Sequence, residues 1–217
     1  LLLYPASKNY KTREILFIRK SDNYTKVWEG EKLSKKQANE LSGINNICYV
    51  EDFKDILSSI ATKVDTFYIN KNEHYRANSP VETREDRFIS WLLKKYPAHN
   101  VAKSNPILQR QRSLKHPSEI DQIKRACEIT GKGFNRVLKF IKPNIWEYEI
   151  EAEFIHEFIN NSSKGFAYSP IIASGNDNNV LHYIKNNKKC KSGELILMDV
   201  GAAVSYTHLR AHETSGY

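Results

Sequence analysis

Over the first hundred residues, short apolar runs alternate with segments whose apolar positions recur every three or four residues. "EILFI" (Glu14–Ile18), "NICYV" (46–50) and "TFYI" (Thr66–Ile69) are β-favouring runs and predict strands. "YTKVW" (24–28) reads the same way and ends at a Glu29-Gly30 turn. In "EDFKDILSSIATKV", Phe53, Ile56, Leu57, Ile60 and Val64 fall on one helical face. "VETREDRFISWLLKKY" puts Phe88, Trp91, Leu92 and Tyr96 on a helix that Pro97 ends. Strands alternating with helices predict an α/β domain with a mixed or parallel sheet over residues 1–105.

Near Asn105-Pro106 the pattern changes. "ILQRQRSLKHP" is basic and bounded by prolines, so residues 106–117 are expected to form an extended linker. A long helix should follow, with Pro117 in its first turn and Ser118 and Asp121 as its capping pair. Ile120, Ile123, Cys127, Thr130, Phe134, Val137, Leu138 and Ile141 recur at helical spacing, and Pro143 closes the run. A second helix, from about Trp146 to Asn160, turns Ile150, Phe154, Ile155 and Phe158 inward and its acids outward. Beyond "NNSSKG" come three strand-like pieces, "FAYSPIIAS", "VLHYI" and "ELILMDV", joined by Asn- and Gly-rich turns. Residues 118–203 thus read as the first part of a second, α+β domain.

Composition narrows the class. The 217 residues are 40% hydrophobic and 27% charged, which suits a globular protein rather than a disordered one. No apolar run reaches the ~20 residues of a membrane span, so no membrane partner is expected. "LLLYP" lacks the basic flank and cleavage site of a signal peptide, and the only methionine is Met198; the chain reads as part of a longer gene product. Cys48, Cys127 and Cys190 form no CxxC pair and no disulfide framework, which favours a reducing, cytoplasmic setting. The net charge of +8 invites a nucleic-acid reading, but the lysines are scattered in doublets and no aromatic-and-basic signature accompanies them. A solvated lysine-rich surface is expected, and no nucleic-acid partner.

Phosphate-loop spacing is absent, and Glu153 and His156 make a single ExxH on an amphipathic helix. His208 and His212 in "THLRAHET", with Glu213 following, have the i, i+4 spacing of two zinc ligands, but no further ligand is visible nearby, and the polar stretch has no apolar face to pack. His182 and Asp199 remain. By itself His182 reads as a strand histidine satisfied by a carbonyl, and Asp199 as a turn residue in "DVGA". However, Leu195, Ile196, Leu197 and Met198 lead into Asp199, and a carboxylate at the inner end of a buried strand is costly unless a metal, Lys or Arg meets it. The residues alone do not choose among those cations.

The segment "SPIIASGNDNNVLHYIKNNKKCKSGELILMDVGA" resembles the metal-dependent aminopeptidases of the pita-bread fold, Xaa-Pro aminopeptidases (aminopeptidase P) above all, with prolidases nearby. "ASG" followed by "LHY", the lysine- and Gly-containing turn and the strand ending in "DVGA" carry the likeness, and His182 precedes Asp199 by the family's seventeen positions. "LQRQRSLKHPSEIDQIKRACEITGKGF" is similar to the family's linker and first catalytic-domain helix. The resemblance implies a creatinase/prolidase-type N-terminal α/β domain, with its first strands missing, then an incomplete α+β pita-bread catalytic domain. It implies that Asp199 is the first of five ligands to a divalent metal pair, most often Mn2+, and that His182 orients the bound peptide. The implied reaction is removal of the N-terminal residue from peptides with proline second, with a family glutamate as general base. Peptides are then the partners, and a homo-oligomer is expected for the full-length protein.

The resemblance also marks a departure. The family's second aspartate ligand lies eleven positions after the first, where this chain has Arg210, and its remaining His and two Glu ligands would lie beyond residue 217. "AVSYTHLRAHETSGY" resembles translated adaptor sequence, so residues 204–217 are expected to be an artefactual tail. On this reading the 217-residue chain is inactive, because one ligand cannot hold two metals. Two other functions are kept: a prolidase restricted to dipeptides, and a metal-free pita-bread module that binds protein partners.

Overall fold

In a computed structural model that describes residues 1–71 and 80–204, the chain divides into two compact units. One comprises residues 1–71 and 80–104, the other 105–204.

In the first unit the alternation of apolar runs becomes β1 (Leu2–Leu3), β2 (Glu14–Ile18), β3 (Ile47–Tyr49), β4 (Thr66–Ile69) and β5 (Asn100–Lys103). β2 pairs in parallel with β3, β4 in parallel with β5, and β1 antiparallel to β2. Parallel partners need a crossover. Helices α1 (Asn23–Glu29) and α2 (Lys35–Ser42) supply it between β2 and β3. Helix α4 (Arg84–Lys95) lies between β4 and β5, and α3 (Phe53–Ala61) follows β3. Ile15, Ile47, Leu57, Ile60, Ala61 and Leu92 are buried, and Phe53 bridges Phe17 and Phe88 at ring distances of 5.1 and 5.9 Å. Thr83 and Asp86 form a capping box at the start of α4. The Thr83 hydroxyl and then Lys71, 2.9 Å away, hold the Asp86 carboxyl down at about 2.

The expected strand at 24–28 is a helix, α1, whose Thr25 N–H donates to Asp22 Oδ1 at 2.6 Å. Strand preference measures fit to a half-buried pleated surface, and Tyr24, Val27 and Trp28 find none: each is more than 70% exposed. Local capping therefore decides the conformation.

In the second unit the basic stretch expected to be extended is instead α5 (Asn105–Ser113), with Pro106 in its first turn and helix-favouring Gln and Arg behind it. Helix α6 (Pro117–Phe140) is capped by His116 with Glu119, not by Ser118 with Asp121. It pairs antiparallel with α7 (Glu147–Asn160): Lys132 bonds Asn161 at 2.7 Å, and Arg136 meets Glu153 at 2.5 Å. The buried face of α6 is Ala126, Ile129, Thr130, Gly133 and Val137, whereas Ile120, Cys127 and Leu138 are exposed. Thr130, Phe134, Val137 and Ile141 of the expected face do pack inward, but the closest approach to α7 runs through Ala126, Ile129 and Gly133, which the expected face left out. At Gly133 a Cβ would lie 2.8 Å from a Phe158 ring carbon, so the rings of Phe154 and Phe158 pack directly on the α6 backbone. Each of those rings is fully buried, a contribution of roughly 1.5–3 kcal/mol apiece.

Strands β6 (Ile171–Ser174) and β7 (Ile196–Asp199) pair antiparallel, from Ser174 opposite Ile196 to Ile171 opposite Asp199. The pairing resumes where Phe166 bridges Ala202. Ala202 N–H donates to Thr130 Oγ1 at 3.1 Å, which ties the chain after β7 to α6. The three cysteines are free, as their spacing suggests, and burial pushes the Cys190 thiol up. Among the described residues, no helix is long and apolar enough to cross a membrane.

Candidate active site

The site grows from two segments, the end of β7 and the connection between β6 and β7. Successive strand side chains point to opposite faces. Ile196, Met198 and Val200 join the core cluster, while Leu195 is 81% and Leu197 41% exposed. Asp199 therefore shares the face of Leu197, not that of the core. The expectation of a carboxylate driven into a buried strand is corrected here: the apolar run alternates, and Asp199 is half-buried. Its Oδ1 accepts a 2.8 Å hydrogen bond from the Tyr168 hydroxyl. Tyr168 precedes β6, and the step between the Phe166–Ala202 bridge and the Ile171–Asp199 pair brings it alongside. Sequence reasoning passed over Tyr168, although it lies in the strand-like "FAYSP" stretch.

His182 is not on a strand. The pieces expected to make one, residues 180–184, form a turn after the 3-10 segment Gly175–Asn179. His182 is exposed, as are Leu181 and Ile184 at more than 80%. The connection that carries it leaves the β6–β7 ladder through Ser174 and Ile196, while Asp199 ends the ladder at its other end, about 10 Å along the strand. Strand pairing therefore does not set the place of His182.

A buried carboxylate beside that turn does hold the connection. Glu147, the first residue of α7, is fully buried. Its Oε1 accepts from the Ser174 N–H and hydroxyl, both at 2.8 Å, and its Oε2 accepts from the Tyr183 hydroxyl at 2.8 Å and the Lys188 N–H at 3.1 Å. The Glu147 N–H in turn donates to Lys188 O at 3.0 Å. A desolvated carboxylate is tolerable because these donors replace water and the helix N-terminus favours negative charge. Burial, and then the bond to Glu147, push the Tyr183 hydroxyl up to about 12. Lys188 Nζ bonds Ser174 O at 3.1 Å and approaches Asp177 at 3.4 Å, and Asn186 bonds Glu151. The expectation that all acids of α7 face outward fails at Glu147. An acid in a first helical turn ordinarily reads as a solvent-exposed partner of the dipole, so nothing in the sequence marked it.

Among the described residues, no three His, Cys, Asp or Glu side chains gather as a metal cage. Asp199 and its tyrosine are a fitting single oxygen donor with a supporting hydrogen bond, but the described residues do not by themselves fit a metal pair. His208, Arg210, His212 and Glu213 lie outside the described residues.

Similarity to known proteins follows the same division. Residues 1–68 match the family model for the aminopeptidase P N-terminal domain, and residues 121–211 that for metallopeptidase family M24. An Xaa-Pro aminopeptidase from Haemophilus influenzae is 27% identical over 192 residues, 87% of this chain and 42% of that protein. The structure of a putative aminopeptidase P from Bacillus anthracis superposes with a TM-score of 0.84 at 32% identity, covering 89% of this chain and 46% of the other. A zinc-substituted Escherichia coli aminopeptidase P in complex with product gives a TM-score of 0.75 at 26% identity over 87% of this chain and 43% of the other. The chain spans less than half the length of these relatives.

Proposed function

From an Xaa-Pro aminopeptidase-like chain, in which an aminopeptidase P N-terminal domain is followed by part of an M24 pita-bread domain, we propose the activity of the longer protein it corresponds to. That protein removes the N-terminal residue from peptides with proline in second position, as a metallo-aminopeptidase. The observation that carries this reading is Asp199: a half-buried carboxylate at a strand end, on the face away from the core, held by Tyr168. It is suited to present an oxygen to a hard divalent ion.

In the longer protein Asp199 is one ligand of a divalent metal pair, Mn2+ by preference, and the other ligands come from outside the described residues. Such a pair supplies an activated water and polarises the scissile carbonyl. This chain's own residues do the positioning: Tyr168 fixes the orientation of the Asp199 carboxylate, and His182, exposed on its turn, orients the bound peptide. The 217-residue chain alone is inactive, since the described residues offer one ligand where a pair needs several. Free cysteines, one of them buried, support a cytoplasmic location. The exposed Tyr24, Val27 and Trp28 face of α1 supports a homo-oligomer, because a second copy would cover it.

The test is peptide-length selection by the longer protein. Release of the first residue from Xaa-Pro-Yaa tripeptides and longer peptides supports an aminopeptidase. Cleavage of Xaa-Pro dipeptides alone would replace it with a prolidase, and no cleavage with retained peptide binding would point to a metal-free binding module.

A further inference from the structure

The buried carboxylate of α7 has no part in the ligand set, yet it grips both sides of the His182 turn. Its Oε1 holds Ser174, where the connection leaves β6, and its Oε2 holds Tyr183, the neighbour of His182, and Lys188. Tyr183 is 5% exposed between Leu181 and Ile184, which are both over 80% exposed, and His182 is exposed as well. Of the residues from 180 to 185, only the tyrosine is buried. We propose that Glu147 is a positioning residue: through its hydrogen bond to Tyr183 it fixes the turn that presents His182 to the peptide. The proposal rests on the reading of His182 as the peptide-orienting residue.

An isolated turn with apolar residues facing water has no packing of its own and would sample many backbone conformations. A hydrogen bond to a desolvated carboxylate is among the stronger ones, because water cannot compete for the acceptor. The phenol reaches its acceptor only if the backbone at residue 183 is in place, which leaves the adjacent imidazole one backbone step from a fixed point. Helix α7 is itself anchored by Phe154 and Phe158, so the fixed point is rigid.

The experiment uses the 217-residue chain with 13C-labelled histidine, together with amide hydrogen exchange. Tyr183→Phe removes one oxygen and keeps the ring, and Glu147→Gln removes the charge. His182→Ala identifies the His182 ring signal. For Tyr183→Phe the expected result is exchange at Val180 and Lys188, the hydrogen-bonded amides that flank the turn, faster by about tenfold or more, with α6 and α7 amides unchanged. The His182 ring signal should move towards the position of an unstructured histidine, while that of His156, on α7, stays put. Unchanged exchange and an unmoved His182 signal would overturn the proposal. So would a shift of His156 and loss of α6 protection together, which would show general destabilisation. Glu147→Gln should reproduce the Tyr183→Phe result if it folds, and a folded variant without the effect would also overturn it. These readouts need no turnover. By contrast, His182→Ala with undiminished Xaa-Pro cleavage in the longer protein would overturn the functional reading whatever the clasp does.

Discussion

The Tyr168 hydroxyl donates a 2.8 Å hydrogen bond to Oδ1 of Asp199, thirty-one residues away in the chain. It is a contact of the kind that orients a metal-binding carboxylate from behind, and such partners commonly matter 10–100-fold to metal affinity. Tyr168→Phe in the longer protein is expected to weaken Mn2+ binding by about tenfold, read by titration calorimetry. The same substitution in the 217-residue chain should leave thermal unfolding nearly unchanged, because the tyrosine is only partly buried.

Gly133 sets how closely α6 and α7 approach. Alanine would gain up to ~1 kcal/mol of helix propensity there. Its Cβ, however, would sit 2.8 Å from Phe158 and 2.9 Å from Phe154, rings that are fully buried and have nowhere to move. Overpacking of this kind costs about 1–3 kcal/mol and should prevail. Gly133→Ala is expected to lower the urea midpoint, whereas Gly131→Ala, with open space around it, should raise it or leave it unchanged.

Tyr183 predicts an alkaline limb of stability. Its folded-state pKa, about 12, lies above the unfolded value near 10, so the folded state holds the proton more tightly. The stability this contributes is fully present below pH ~10 and is lost as pH rises towards about 12. Denaturant titrations across that window should show a loss that Tyr183→Phe abolishes. Absorbance at 295 nm should show a late-ionising component that Tyr183→Phe removes.

Asp86 predicts the opposite limb. Its carboxyl is depressed to about 2 from the usual 3.8, first by the Thr83 hydroxyl and then by Lys71. Its contribution is present above pH ~4 and is lost as pH falls through about 2. Asp86→Asn should flatten that acid limb, read by circular dichroism at 222 nm.

Much of the fold was legible wherever a hydrophobic period coincided with burial. β2, β3, β4, α3, α4 and the Phe154/Phe158 face of α7 follow directly from such spacing. The misses share a cause: apolar residues without a surface to bury them, and polar or small residues inside. Tyr24 to Trp28 read as a strand because their side chains favour strands, yet Tyr24, Val27 and Trp28 face water on a helix. Leu181 and Ile184 made the His182 turn look like a strand, though both face water. On α6 the contact runs through Ala126 and Gly133, which a search for large apolar residues skips. Asp199 and His182 were marked by their motif and their interval. Tyr168 and Glu147, which hold the site, were not, because their partners lie 31 and up to 41 residues away in sequence.

The role of Asp199 as a metal ligand is decided by Mn2+-dependent release of the first residue from an Xaa-Pro-Yaa peptide, measured for the longer protein, its Asp199→Asn variant and the 217-residue chain. Metal-dependent release by the longer protein, loss to background on Asp199→Asn with the fold intact, and none from the 217-residue chain are expected. Release by the short chain alone, or full activity in the Asp199→Asn variant, would contradict this reading.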